Sequence, residues 1–394
     1  MPTFPSFSYG MREVRRAGEV IAGDLTWTPE SQDIIRQAFS VANQWRDSHA
    51  LPMRSMHGSL RAHIRLRRLN GFTAARLKRM NAIRRKLKRM DDNTKPMGLN
   101  QLQDLGGCRA IMNTMTDVDA LAQALKERSR HEYRGENDYI RGSKRDGYRC
   151  LHLKYAYVGR GDTVVHNGRR IEIQIRTALQ HSWATAVEAV GLFRGEDLKA
   201  GKGSPEWLRL FQLMSAEFAA AERCDPASGL PDQQARMREL RDLDEHLGAV
   251  QTLDNLTHAV SYIEDAVSPN FRPNYYLIRY DNETREVVIT PYSQSRFAFE
   301  GYESAENADN LSGLDTANVV LVEADKMDNL TKAYPNYFGD TQVFKMQLNA
   351  IVHGEPADEY KVAMQQRVAQ RQRERADPSW IGRRGMWSEP KRRR

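Results

Sequence analysis

The sequence predicts an α+β fold, a mixed β-sheet flanked by helices, followed by a small C-terminal α+β module. Three observations predict it. Residues 170–176 alternate strictly, with Ile171, Ile173 and Ile175 on one face and Glu172, Gln174 and Arg176 on the other. That is the period of a half-buried strand with a polar face turned to solvent or a ligand. Two short apolar runs, 108–112 and 151–158, bracket a helical pattern at 117–127, so strands and helices interleave on a sheet. Residues 275–280 and 286–289 are separated by Asp281-Asn282-Glu283-Thr284, the turn-rich join of a hairpin.

The remaining elements follow in order. Residues 12–22 and 29–48 read as helices, the second opened by Thr28-Pro29-Glu30. A third helix is expected over 73–90, because Leu77, Met80, Ile83, Leu87 and Met90 recur every three to four residues. A helix over 178–190 follows the alternating strand. Residues 231–265, rich in Arg, Glu, Asp and Leu, read as a helical connector. A strand is expected at 318–322 and a helix at 324–333. The expected organisation is an N-terminal helical region at 1–54, a main domain at 55–230, the connector at 231–268, a small α+β domain at 269–352 and a basic tail at 353–394.

Bulk properties narrow the class. The 394 residues suffice for two to three domains, and 40% hydrophobic with 28% charged residues is an ordinary globular balance. No apolar run reaches the ~18–20 residues that span a bilayer, and the first residues lack a signal-peptide layout. Cys108, Cys150 and Cys224 are too few and scattered for a disulfide framework or zinc site. A cytoplasmic location without a membrane partner is expected. The net charge of +8 favours polyanionic partners. It is uneven: residues 54–95 hold fourteen Arg and Lys against Asp91 and Asp92, and 359–394 hold eleven against four acidic residues. Like charges on adjacent helical turns around Arg84, Arg85, Lys86, Lys88 and Arg89 are costly unless an anion is bound.

Candidate chemistry sits at strand ends. Asp104 precedes a strand beside Gly106-Gly107, and Glu172 projects from a strand whose other face is all Ile. One or two carboxylates plus substrate oxygens are what Mg²⁺ takes in phosphoryl-type transfer. Lys144-Arg145-Asp146-Gly147-Tyr148-Arg149 reads as a tight turn into a strand. There Tyr148 offers a ring face to a base, and Lys144 and Arg149 offer charges to phosphates. Each feature also has a bland reading: a turn residue, a solvent-facing strand position, a packed tyrosine. His152 alternates with Leu151 and Leu153 and reads equally as a strand-face residue. Gly201-Lys202-Gly203-Ser204 departs from the phosphate-loop spacing and reads as a loop. The sequence has no His-Asp dipeptide, so a phosphohydrolase of that type is unsupported.

In this order the motifs resemble the RelA/SpoT synthetase family. They are Arg76-x-Lys78 through Lys86-Leu87, Asp104-Leu-Gly-Gly-Cys-Arg109, Lys144 through Gly147-Tyr148-Arg149 and His152, and Glu172-Ile-Gln-Ile-Arg176-Thr177 followed by His181 and Trp183. The resemblance covers about 55–200. It implies a nucleotidyl/pyrophosphotransferase-like domain that moves the β,γ-pyrophosphate of ATP onto a ribose 3′-hydroxyl. By similarity Arg76, Lys78, Lys86 and Arg109 hold ATP phosphates, while Asp104 and Glu172 hold Mg²⁺, Glu172 also assisting deprotonation. Tyr148 stacks on the acceptor base, and Lys144, Arg149, His152, Gln174 and Arg176 shape the acceptor side. Asp146 departs from the Asn usual before Gly-Tyr in alarmone-making members. In the C-terminal half, Tyr334-Pro-Asn-Tyr337 resembles the Tyr-x-x-Tyr motif of CapRel-type fused toxin–antitoxin proteins. That resemblance implies a tRNA 3′ CCA acceptor, self-inhibition and a phage protein as trigger; the alternative acceptor is GDP or GTP. A catalytically dead nucleotide-sensing or RNA-binding module is the reading from a different class.

Overall fold

The computed structural model describes residues 7–359 except 24, 26–27, 92–96, 143, 195, 260, 265–274, 282–285, 295–296, 299, 303, 306–316 and 324–340. Tyr334, Tyr337, the expected helix at 324–333 and the basic tail beyond 359 lie outside the described residues.

The alternating segment forms the centre of the sheet. Strand β5 (Arg170–Thr177) is flanked by the parallel strand β2 (Gly106–Met112) and the antiparallel strand β4 (Leu151–Ala156). Beyond β2 lies antiparallel β1 (Gly71–Leu77), and beyond β4 lies antiparallel β3 (Glu132–Asp138). Ile171, Ile173 and Ile175 are fully buried with Leu151, Leu153, Cys108, Ala110 and Ala75. At about 1.5–3 kcal/mol per buried aliphatic side chain, this face fixes the strand register. Helices α3 (Ala50–Leu66) and α5 (Met115–Arg128) cover it through Met53, Met56, Leu60, Val118, Leu121 and Leu125. Thr114 caps α5 by accepting the Asp117 amide at 3.1 Å.

Gly106 permits the β2–β5 approach, since a Cβ there would meet the Ile171 side chain at 2.7 Å. The helix expected over 73–90 divides in two. Residues up to Leu77 pair in β1, and the helix, α4 (Met80–Asp91), begins at Met80. Leu77 faces the sheet core, whereas Met80, Ile83 and Leu87 pack with α1 (Met11–Ala22) and α2 (Gln32–Asp47). The short apolar spacing fits both periods at residue 77, and sheet pairing decides it. The basic face of α4 is partly structural: Arg84 Nε donates to the Ile21 carbonyl at 3.0 Å.

Helix α6 (Ala178–Arg194) leaves β5 directly and packs with α7 (Pro205–Ala221), α8 (Gln233–Leu247) and α9 (Ala249–Ala259) around Trp207, Phe211 and Phe218. The connector is thus two helices, followed by the short strand β6 (Ser261–Glu264). The hairpin strands β7 (Tyr275–Asp281) and β8 (Glu286–Tyr292) form as expected, and β9 (Ala317–Glu323) pairs antiparallel with β7. Strand β9 also pairs with β1 at Ala75 and Arg76, so the described strands make one sheet in the order β3-β4-β5-β2-β1-β9-β7-β8-β6. The last described helix, α10 (Gln342–Val352), packs against α6–α9 instead of the hairpin, with the Phe344 ring 5.5 Å from Phe211. No described helix is long and apolar enough to cross a membrane.

Candidate active site

The face of the sheet opposite the isoleucines is polar. Arg76, Gly107, Glu172 and Lys154 lie in one row across β1, β2, β5 and β4. Arg109, Gln174, His152 and Asn137 form the next row across β2, β5, β4 and β3. The period-2 alternation of each strand therefore gathers residues up to a hundred positions apart onto one surface.

Two carboxylates anchor it. Asp104 lies just before β2, where its Oδ2 binds Lys78 Nζ at 2.8 Å and Lys86 Nζ at 3.0 Å. Lys78 is placed by its backbone amide, which donates to the Leu105 carbonyl at 2.8 Å. Burial would raise the Asp104 pKa, but the two ammonium groups override it and lower it to about 2. The other oxygen, Oδ1, is buried and has no hydrogen-bond partner among the described residues. Glu172 is 8% exposed. Burial would raise its pKa too, but His152 and the Gln174 amide keep it lowered. Gln174 Nε2 donates to Oε1 at 2.9 Å, and His152 Nδ1 lies 3.3 Å from Oε2. The negative charge of Asp104 is also felt at Glu172, pushing its pKa up. Two ionised carboxylates that repel each other, one with an unused buried oxygen, fit a divalent cation. Among the described residues no group of three or more His, Cys, Asp or Glu converges on a point.

His152 links Glu172 to Tyr148, whose hydroxyl is 2.8 Å from His152 Nε2. Burial would lower the histidine pKa, yet Cys150 and Glu172 raise it to about 9. The imidazolium then donates from both nitrogens, to Glu172 and to the Tyr148 oxygen. Burial above all raises the Tyr148 pKa well above its ordinary value, so the phenol stays neutral. Tyr148 sits among Tyr139, His152 and Trp183, and Lys144 Nζ lies 5.2 Å from its ring centroid and 4.2 Å from that of Tyr139. The preceding turn requires its glycine: Gly147 has φ +90°, and a Cβ there would meet Ser215 at 3.0 Å and Trp183 at 3.2 Å. Asp146 Oδ1 accepts the Tyr148 amide at 2.9 Å. An asparagine oxygen can accept the same bond, which gives Asp146 a local turn role.

Residues 75–194 match a protein family described as "Region found in RelA / SpoT proteins". Residues 75–194 are therefore similar to that region. The GTP pyrophosphokinase YjbM of Bacillus subtilis (strain 168) is 29% identical over 130 residues, 32% of this chain and 56% of that protein. The chain thus spans about half the length of the curated relative it matches. Among solved structures, small alarmone synthetase 1 from Bacillus subtilis bound to its product pppGpp is 22% identical, covering 44% of this chain and 89% of that one, with a TM-score of 0.38. A GTP pyrophosphokinase family protein from Streptococcus pneumoniae is 22% identical, covering 57% of this chain and 98% of that one, also with a TM-score of 0.38.

Within the matched residues, Arg76, Lys78, Lys86, Arg109, Asp104, Glu172, Gln174, His152, Tyr148 and Lys144 belong to the polar face or its rim. Two expected acceptor-side residues are occupied otherwise. Arg149 is buried, and its Nη1 pairs with Glu222 at 2.8 Å; Glu222 also accepts from Thr177 and Gln180. Its placement is that of a buried ion pair joining the start of β4 to the end of α7. Arg176 is buried, and its Nη2 donates to His181 Nδ1 at 2.6 Å, tying β5 to α6. Sequence reading missed Glu188 of α6, which ion-pairs with Lys199. Burial would raise the Glu188 pKa, but Lys199, with Arg76 and Arg109, holds it well below the usual carboxylate range.

Proposed function

We propose that the polar face is the active site of an ATP-dependent pyrophosphokinase, which moves the β,γ-pyrophosphate of ATP onto a ribose 3′-hydroxyl. The observation that carries this reading is the pair Asp104 and Glu172 on one cation-rich face inside the RelA/SpoT region. Arg76, Lys78, Lys86 and Arg109 would hold the donor phosphates, and Asp104 and Glu172 would hold Mg²⁺. When bound, the cation neutralises phosphate charge as the bond to the leaving AMP breaks. The residues act chiefly by positioning and charge. His152 holds Glu172 ionised, which suits cation binding better than proton abstraction, because a lowered pKa makes a weak base. Tyr148, with Lys144 beside it, would receive the acceptor base.

For the acceptor we favour the 3′ CCA end of tRNA, which suits the basic surface, in a toxin restrained by its own C-terminal segment and released by a phage protein. With its local turn role, Asp146 does not separate the acceptors. The second reading, GDP or GTP as acceptor, is favoured by the relative whose printed name is GTP pyrophosphokinase. Incubating the purified chain, and one truncated before residue 270, with γ-³²P-ATP, tRNA, GDP and GTP decides between them. Label in tRNA supports the first reading and label in a guanine nucleotide the second. Label in neither, from both proteins, sinks the pyrophosphokinase assignment.

A further inference from the structure

We propose that Lys199, ion-paired with Glu188, is a further phosphate-binding residue of the donor site. The inference rests on the pyrophosphokinase reading above and extends it to Lys199, beyond the matched region, which ends at 194. Glu188 stands seven residues after His181 on α6, two helical turns along the same side. His181 meets Arg176 of β5, so that side of α6 runs along the sheet. The Glu188 carboxylate pairs with the Lys199 ammonium, and the charges of Arg76 and Arg109 reach it as well. From the other direction, the Lys199 charge reaches Lys78, together with that of Lys86. Lys199 therefore belongs to the same cluster of cations as Arg76, Lys78, Lys86 and Arg109.

The turn that carries it is anchored. Lys199 lies in a short turn, Leu198–Ala200, anchored by the buried Leu198 and by backbone bonds from Ala200 to Asp197 at 2.9 Å and from Gly201 to Leu198 at 3.0 Å. The Lys199 side chain itself is 64% exposed, so an anion can reach it. Glu188 is an internal counter-anion to a site built for phosphates. A triphosphate entering beside Arg76 and Arg109 takes over Lys199, and the displaced carboxylate no longer neutralises it. Glu188 thus competes with the phosphates for Lys199 and sets how tightly the cluster attracts anions.

Binding of AMPCPP, a non-hydrolysable ATP analogue, and of AMP is measured by calorimetry on the full chain. Lys199→Ala is expected to weaken AMPCPP roughly five- to tenfold, the loss of one exposed charge-assisted hydrogen bond, and to leave AMP binding unchanged. Lys199→Arg restores most of the affinity, and Glu188→Gln tightens AMPCPP by removing the competing carboxylate. AMPCPP binding by Lys199→Ala equal to that of the parent overturns the inference, as does an equal loss for AMP. Where the parent transfers label from γ-³²P-ATP, either of these results overturns the role of Lys199 alone and leaves the pyrophosphokinase reading standing.

Discussion

His152 Nδ1 lies 3.3 Å from Oε2 of Glu172, between a carboxylate kept ionised and a phenol kept neutral. The histidine pKa is raised from 6.5 to about 9, so its stabilising contribution is complete below about pH 6.5. It is lost as pH rises through 9. The lowered pKa of Glu172 makes its own contribution present above pH 4.5 and lost as pH falls below that. His152→Gln should cost about 1–3 kcal/mol at pH 6, and the gap from the parent should close by pH 10. Urea denaturation at both values checks this, and a gap independent of pH would refute the ion pair.

Asp104 is shared by Lys78 and Lys86, yet it lies at the rim of the core. Asp104→Ala is expected to lower turnover by about 10²–10³-fold or more, while melting falls only a few degrees. Label transfer and calorimetry on the same sample separate the two effects. Unfolding at room temperature would instead assign Asp104 a structural role.

The Arg149–Glu222 pair is 3% and 4% exposed, and removing one partner strands the other charge. Glu222→Ala should cost about 3–5 kcal/mol, although it lies outside the polar face. Lys144→Ala, on an exposed rim, should change stability by less than about 0.5 kcal/mol and raise the acceptor KM. Equal destabilisation by both would contradict the buried placement of Arg149.

Removing the chain from residue 270 onward takes away β7, β8 and β9 and opens the edge of β1 beside Arg76. Induction of this truncated chain should arrest growth more strongly than the full chain, and Glu172→Ala should abolish the arrest. Its soluble yield should also fall, because an open strand edge invites pairing between chains. Growth curves with fractionation test both parts. Unchanged toxicity would point instead to a role of the C-terminal segment in folding or partner binding.

Much of this was legible in the sequence wherever one periodicity dominated. The isoleucine alternation announced β5, and the capped, amphipathic segment at α5 was placed nearly to the residue. Strand β3, Glu-Tyr-Arg-Gly-Glu-Asn-Asp, has no apolar face to read, because it is the sheet's outer strand and leaves most side chains in solvent. Helix α3 escaped notice with Pro52 in its first turn, a position that tolerates proline. Asp104 and Glu172 stand out in the sequence because they flank strand patterns. Glu188 does not, since only the placement of α6 brings it within reach of the Arg76 charge. Arg149, expected on the acceptor side beside Tyr148, pairs with Glu222, which is 73 residues away and invisible to any local pattern.

The β1–β9 pairing also has a schedule. Strand β1 ends at Leu77 and the strand covering its outer edge begins at Ala317. A ribosome adding about 5–20 residues per second needs on the order of 10–50 s to make the residues between them. Once Thr177 is made, the nascent chain carries its complete row of polar strands with the outer edge of β1 uncovered until β9 arrives. Neighbouring chains on one messenger then compete with β9 for the same edge. Codon usage between these two strands, and any chaperone that meets the chain there, thereby become determinants of how much protein reaches the closed sheet.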